Sequence, residues 1–237
     1  MSIPEISLSG EKIFEIAGFT VTNTFFLSLI LSLGIFFLFS AVFKRIKIVP
    51  GKIQNFLEWI FESLLNFTDS ITGSRDKTKD IFPVSCTLFV LILSSNLLEL
   101  IPGVGVFHFL RSPSSDLNFT LSLALTSVFY VNFLAVRKLG ALSYLKKFFS
   151  KNPIFMFVGF LEGISELSRI FSLAIRLFGN LFAGEILLIV ISYLFAYIMP
   201  LPFLFLEILV GFIQAFIFSS LIVIFYTTAV EVAHNHG

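Results

Sequence analysis

Residues 22–43 form an apolar run without a charged residue, and two further apolar runs follow at 81–101, which contains Glu99, and at 119–136. At about 1.5 Å per residue, a helix of that length crosses the ~30 Å hydrocarbon core of a bilayer. Because 57% of all residues are hydrophobic and 13% are charged, a soluble fold would have to expose large apolar areas. The sequence therefore predicts an all-α polytopic membrane protein, with residues 1–237 forming one membrane domain.

The remaining hydrophobic segments have unusual patterns. Residues 52–72 place apolar side chains at i, i+3, i+4 and i+7, which predicts an amphipathic helix lying in the membrane interface. The stretches 154–199 and 203–233 would measure roughly 70 Å and 45 Å as straight helices, more than an upright crossing needs. With Pro200 and Pro202 marking their connection, they are expected to form a long, strongly tilted hairpin. About five helices would then cross the membrane.

The distribution of basic residues predicts the orientation. Twelve Lys and Arg residues lie in the loops 44–79 and 137–151, whereas Lys12 and Arg111 lie on the other side. The positive-inside rule places the two basic loops in the cytoplasm. We therefore expect residues 1–21 to form an external N-terminal segment and the C-terminus to be cytoplasmic.

One charge stands out within the hairpin. Arg176 has no acidic residue within eight positions on either side. A guanidinium stays protonated at physiological pH, and a charge at mid-bilayer costs between ~2.5 and ~17 kcal/mol, depending on how it is measured. Arg176 is therefore a candidate functional residue, although snorkelling or a structural ion pair would also account for it.

Helical geometry places Arg176 on a narrow stripe of mostly small or polar side chains, with Glu185 on the opposite side. Small residues let a second helix approach closely, so residues 172–183 are predicted to contact a partner. Packing within this chain is the alternative reading. The stripe consists of Ser165, Arg169, Ser172, Arg176, Asn180 and Ala183.

The polar residues of the hairpin agree with a single antiparallel register. A register that pairs Arg176 with Gln214 also brings Glu185 opposite Glu207, to within two residues. Glu207 and Gln214 are seven residues apart and share one helix face. The Gln214 amide is thus placed to hold the guanidinium, while the two acids form a separate patch ~10 Å or more away.

Four short motifs resemble subunit a of the F-type ATP synthase, and they occur in that family's order. They are RLFGNLFAGE at 176–185, QAF at 214–216, NLLELIPG at 96–103 and SDLNFTL at 115–121. The resemblance covers roughly residues 80–233, and the first ~80 residues agree only in general layout.

The resemblance implies the stator proton-channel subunit of a rotary motor, with no catalytic site of its own. Arg176 would drive loss of the proton from the carboxyl group of each passing subunit of the c-ring, which would contact the face at 172–183. Other implied partners are the subunit b peripheral stalk and the lipid bilayer. The outward half-channel would use Asp116, Glu185, Glu207, Asn180 and Gln214, although some bacterial members carry His where this chain has Glu207.

The cytoplasmic half-channel is expected to use Glu162, Ser165, Glu166, Arg169 and Ser172. A purely structural pair between Glu166 and Arg169, at i and i+3, is an alternative. Asn96 and Glu99 would either stabilise the outer end of their span or line a cavity.

No cofactor, metal ion or nucleic acid is expected, because the sequence has no catalytic triad, HExxH, phosphate-binding glycine loop or basic aromatic patch. The translocated ion is expected to be H⁺, with Na⁺ left open. A free-standing ion transporter and a structural scaffold remain rival readings. The GN and AGE of the arginine motif favour a bacterial plasma membrane over the mitochondrial inner membrane.

Overall fold

The computed structural model describes residues 12–16, 19–44, 46–101, 111–140, 153–194 and 199–235. Within these ranges the chain is almost entirely helical, which confirms the predicted fold class. All of the described α-helices except Lys52–Thr72 are long and apolar enough to cross a membrane. The helices are α1 (Asn23–Phe43), α2 (Lys52–Thr72), α3 (Arg75–Leu98), α4 (Leu117–Leu139), α5 (Pro153–Leu194) and α6 (Pro200–Asn235).

A short antiparallel strand pair precedes the first helix and was not expected from the sequence. Strand β1 (Lys12–Ile16) pairs with β2 (Phe19–Thr22). Thr22 then caps α1, because its side-chain oxygen accepts a hydrogen bond from the Phe25 amide at 3.2 Å. The first eleven residues of the predicted external segment lie outside the described residues.

Helix α2 occupies the residues expected for the amphipathic helix. It ends at Thr72, and the next residue, Gly73, has a φ of 63°, in the left-handed region that glycine adopts without strain. Phe56 and Trp59 are exposed and stack with their ring centroids 6.3 Å apart. The position of this helix in the membrane interface stays a prediction.

Helix α3 begins at Arg75, earlier than the span expected from Ile81 onward, so the end of the basic loop predicted at 44–79 is helical. Asp76 in the first turn favours a helix start, because an acidic side chain complements the helix dipole. The hydroxyls of Thr72 and Thr78 are also hydrogen-bonded at 2.6 Å and join the end of α2 to this first turn. In the predicted hairpin, residues 195–198 of the 154–199 stretch lie outside the described residues.

The chain divides into two compact units. The first consists of Met1–Lys47, Phe89–Ser122 and Ala174–Phe216. Its buried core includes Ile92, Leu177 and Leu181. This unit contains most of the residues considered for the functional site.

The second unit consists of Ile48–Leu88, Leu123–Leu173 and Ile217–Gly237. Its centre includes the fully buried Tyr226, whose hydroxyl donates to Asp80 Oδ2 at 3.0 Å. Lys138 Nζ reaches the same carboxylate at 2.7 Å. This cluster therefore ties α3, α4 and α6 together within the second unit.

Candidate functional site

Glu207 on α6 lies directly against the backbone of α5. A Cβ atom at Gly184 would collide with the Glu207 carboxylate, and the Glu207 Cδ atom lies only 3.3 Å from that position. The acid is buried, at 7% exposure, and neither carboxylate oxygen has a hydrogen-bond partner among the described residues. Since Gly184 is next to Glu185, the contact lies in the antiparallel register expected for the two acids.

A cavity of about 180 Å³ lies beside this contact, between α5 and α6. Its polar side chains are Asn180 and Glu207, and the other lining residues are apolar apart from Gly184. The Asn180 Nδ2 group is buried and has no hydrogen-bond partner within the described part of the chain. The structure therefore brings two of the expected outward residues to one cavity.

The end of α3 adds two polar residues to this unit. Asn96 Nδ2 donates to the Gly211 carbonyl oxygen at 2.9 Å, so this side chain links α3 to α6. Glu99 is 8% exposed, and neither of its carboxylate oxygens has a hydrogen-bond partner among the described residues. Its charge interacts with those of Glu207 and Glu185. Asn96 thus has a packing role, whereas Glu99 belongs to the group of acids.

Arg111 is the basic member of this group. Its Nη2 atom lies 3.8 Å from Glu185 Oε2, which makes an ion pair too long for a hydrogen bond. The guanidinium also donates from Nε to Ser115 Oγ at 3.3 Å and from Nη2 to the Ser115 carbonyl at 3.4 Å. We define the acid cluster as Glu99, Glu185 and Glu207, with Arg111 as its counter-charge.

Asp116 takes part in a different set of contacts. Its Oδ2 atom accepts from Thr24 Oγ1 at 2.6 Å, and its Oδ1 atom accepts from the Asn118 amide at 2.9 Å. It therefore joins the start of α1 to the start of α4 and caps α4. Asp116 is buried, at 2% exposure.

Arg176 has an exposed side chain on α5. Within the residues that the structure describes, it makes no ion pair and no hydrogen bond, and Gln214 does not hold it. Gln214 is partly buried on α6. The expected amide contact with the guanidinium is thus not formed in this chain alone, and the charge is left facing outward.

The model of the family described as ATP synthase A chain matches residues 24–227. The chain belongs to the ATP synthase A chain family. It is 33% identical to ATP synthase subunit a of Moorella thermoacetica over 92% of this chain and 91% of that protein. It is 36% identical to the subunit a of Syntrophobacter fumaroxidans over 90% and 85%, and 34% identical to that of Aliarcobacter butzleri over 87% and 88%.

Membership of the ATP synthase A chain family makes this chain a subunit of an ion-transporting complex. Together with the five apolar helices, it identifies a multi-pass membrane protein, and the relatives named above are bacterial. The family resemblance read from the short motifs is therefore confirmed.

The five residues expected at the cytoplasmic end all lie in the second unit. Glu166 accepts a hydrogen bond from Asn132 Nδ2 at 3.1 Å. Arg169 lies over the Phe225 ring, 4.9 Å from its centroid, and it forms no ion pair with Glu166 in the described structure. Glu162 and Ser165 are partly buried, and Ser172 is exposed. The alternative structural pair between Glu166 and Arg169 is therefore not formed.

Reasoning from the sequence missed Arg111 as a member of the site. From the sequence, Arg111 was used only as one of the basic residues counted to predict the membrane orientation. No local pattern links it to Glu185, which lies on a helix far along the chain. The only available signal was that Arg111 is the single cation of the segment between Gly103 and Asp116. Thr24 was missed as well, since its partner Asp116 is 92 residues away.

Proposed function

We propose that this chain is the stator proton-channel subunit of the membrane motor of an ATP synthase, in which the charge of Arg176 favours release of the proton from each ring carboxyl group to the half-channel. The observation that carries the proposal is the exposed, uncompensated guanidinium of Arg176 on an apolar helix, as seen within the described residues. A permanent charge facing outward from a membrane span requires a partner of opposite charge. A carboxylate on a neighbouring membrane protein supplies that partner.

The chemistry follows from solvation. A protonated carboxyl can face lipid, whereas an ionised one is costly there. Beside Arg176, at ~4 Å and an effective dielectric of about 20, the ionised form gains about 4 kcal/mol of Coulomb attraction. Deprotonation would then occur only at the stator, and the fixed positive charge would stop protons from passing straight between the two half-channels.

The outward half-channel would pass the acid cluster before it reaches Arg176. Glu207 and Asn180 share a cavity, and Glu185 lies next to the glycine that Glu207 contacts. Carboxyl groups that interact and are poorly solvated hold and exchange protons as a group. Asp116 would contribute at the side of α1 and α4, and Gln214 would lie between the cluster and Arg176.

The cytoplasmic half-channel would use the other end of α5. Glu162 and Glu166 supply carboxyl groups, and Ser165 and Ser172 supply hydroxyls that can donate or accept protons. Arg169 would set the local charge. The partial burial of Glu162, Ser165 and Glu166 supports a path that is shielded from lipid.

The proposal includes specific partners and a location. The ring of carboxylate-bearing c subunits would contact the face at residues 172–183, and the subunit b peripheral stalk would hold the chain against rotation. The chain would lie in a bacterial plasma membrane with its N-terminus outside and its C-terminus in the cytoplasm. The translocated ion would be H⁺, so that pumping should not depend on added Na⁺.

The test is Arg176→Ala in the intact ATP synthase, assayed as ATP-driven proton pumping in inverted membrane vesicles. We expect pumping to fall to background while the complex still assembles and hydrolyses ATP. Arg75→Ala is the matched control, because Arg75 is an exposed arginine whose partner Asp69 lies at the end of α2. The control variant should pump at close to the wild-type rate.

Normal pumping by Arg176→Ala would overturn the proposal and favour a scaffold. If Arg176→Ala lost both pumping and the assembled complex, Arg176→Lys would be used to separate a role in pumping from a role in assembly. That variant keeps the charge but not the planar guanidinium, and the proposal requires it to assemble.

A further inference from the structure

Arg111 is a buried cation whose position is fixed by its own local chain. Its side chain is 11% exposed and is hydrogen-bonded through Nε to the Ser115 hydroxyl, four residues ahead. A second bond, from Nη2 to the Ser115 carbonyl, uses the same edge of the guanidinium. Two anchoring bonds on a planar group restrict where its charge can lie. The charge therefore stays beside Glu185 without depending on that ion pair for its placement.

The acids around Arg111 are unusually short of hydrogen bonds. Neither oxygen of Glu99 or of Glu207 has a hydrogen-bond partner in the described part of the chain, and Glu185 Oε2 also lacks one. Glu99 and Glu207 are both more than nine-tenths buried, at 8% and 7% exposure. The charge of Glu99 interacts with those of Glu207, Glu185 and Arg111. Several acceptor oxygens thus have no hydrogen-bond partner in the described part of the chain, and the cation paired there with an acid of this group is Arg111.

Such a group of carboxylate oxygens is also what a hard divalent cation needs. Ca²⁺, Mg²⁺ and Mn²⁺ are bound in proteins by carboxylate and carbonyl oxygens. A proton relay made of carboxylates therefore risks being occupied by a metal ion. A fixed positive charge at the cluster opposes metal binding but leaves proton exchange possible, because a protonated carboxyl is neutral.

We propose that Arg111 is a specificity-determining residue that keeps metal cations out of the cluster of Glu99, Glu185 and Glu207. The inference rests on the proposed function, since it explains how the outward acids stay available to protons. Arg111 acts here through its charge and not by contact with the translocated proton. A lysine at this position would keep most of the effect, whereas a neutral side chain would lose it.

The test measures metal binding directly. Nucleotide-depleted ATP synthase in detergent is titrated with Mn²⁺ at pH 8, and free Mn²⁺ is followed by its electron paramagnetic resonance signal. Sites elsewhere in the complex are common to all variants, so the wild type supplies the baseline. In Arg111→Gln we expect one additional Mn²⁺ per complex, bound at least about tenfold more tightly than any binding at this cluster in the wild type.

Two further variants complete the design. Arg111→Lys should show the wild-type baseline, because it retains the positive charge. The double variant Arg111→Gln with Glu185→Gln should lose the additional site, because a ligand oxygen of negative charge is removed. Where Arg111→Gln does not assemble, Arg111→Met preserves the side-chain length and answers the same question.

An Arg111→Gln complex that binds Mn²⁺ as the wild type does would overturn the inference, and so would an Arg111→Lys complex that gains the site. The readout is independent of proton transport. Normal pumping by Arg176→Ala would therefore contradict the proposed function. An unchanged Mn²⁺ titration of Arg111→Gln would contradict only the role proposed for Arg111.

Discussion

The Glu207 carboxylate rests on the backbone of Gly184, at a point where no larger residue could stand without displacing it. The glycine is what allows a buried acid on α6 to approach α5. This relationship makes the position of the acid testable through a residue that has no polar side chain of its own.

Gly184→Ala should displace the Glu207 carboxylate and lower proton pumping severalfold or more. Overpacking of a tight contact costs about 1–3 kcal/mol, and a relay acid that moves loses its alignment. The measurement is ATP-driven pumping in membrane vesicles, normalised to ATP hydrolysis. Gly163→Ala on the same helix is the matched control, since a Cβ there meets nothing within 4 Å. Equal pumping by the two variants would show that proton pumping does not depend on the contact between Glu207 and Gly184.

Thr24→Val should destabilise the protein by about 1.5–3 kcal/mol, because it removes a hydrogen bond to a carboxylate while keeping the side-chain shape. The bond lost is the one from Thr24 Oγ1 to Asp116 Oδ2, at 2.6 Å. Thermal unfolding of the purified chain in detergent measures the change. Thr228→Val serves as the comparison and should be nearly neutral, because the exposed Thr228 hydroxyl bonds the Ile224 carbonyl of its own helix. Equal melting of the two variants would contradict the prediction.

Asp69→Asn should destabilise the end of α2 at pH 6 and have less effect at pH 3. A hydrogen bond from Thr78 and the Arg75 guanidinium lower the pKa of Asp69 below its ordinary value of 3.8. A lowered pKa in the folded state adds stability that is present above pH 3.8 and is lost as the pH falls through the lower folded value. Fluorescence of Trp59, the single tryptophan, reports on unfolding of this helix in the purified chain.

A destabilisation by Asp69→Asn that is equally large at pH 3 and pH 6 would mean that the charge of Asp69 has no part in it. Thr78→Val provides the second variant, since it removes the larger of the causes that lower this pKa. It should reduce the pH dependence and leave the Arg75 ion pair in place.

The sequence alone predicted the membrane class, the number of spans and the isolated charge of Arg176 within an apolar helix. Each depends on neighbouring residues along the chain: hydrophobic length, helical period and the absence of a nearby acid are local properties. The start of α3 was missed, because the charged residues after Arg75 read as a loop. In the folded chain, Asp76 and the Thr72 to Thr78 hydrogen bond make those residues the first turn of a helix.

The composition of the acid cluster was decided only by tertiary structure. The sequence predicted that Glu185 and Glu207 would meet, because both belong to one hairpin with a single register. It carried no information that Arg111 would reach Glu185 or that Thr24 would bind Asp116, since these pairs are far apart along the chain. Local periodicity determines which residues form a helix and which face they share. Partners between distant helices depend on how whole segments pack, and that is set by the sum of many contacts and not by any one motif.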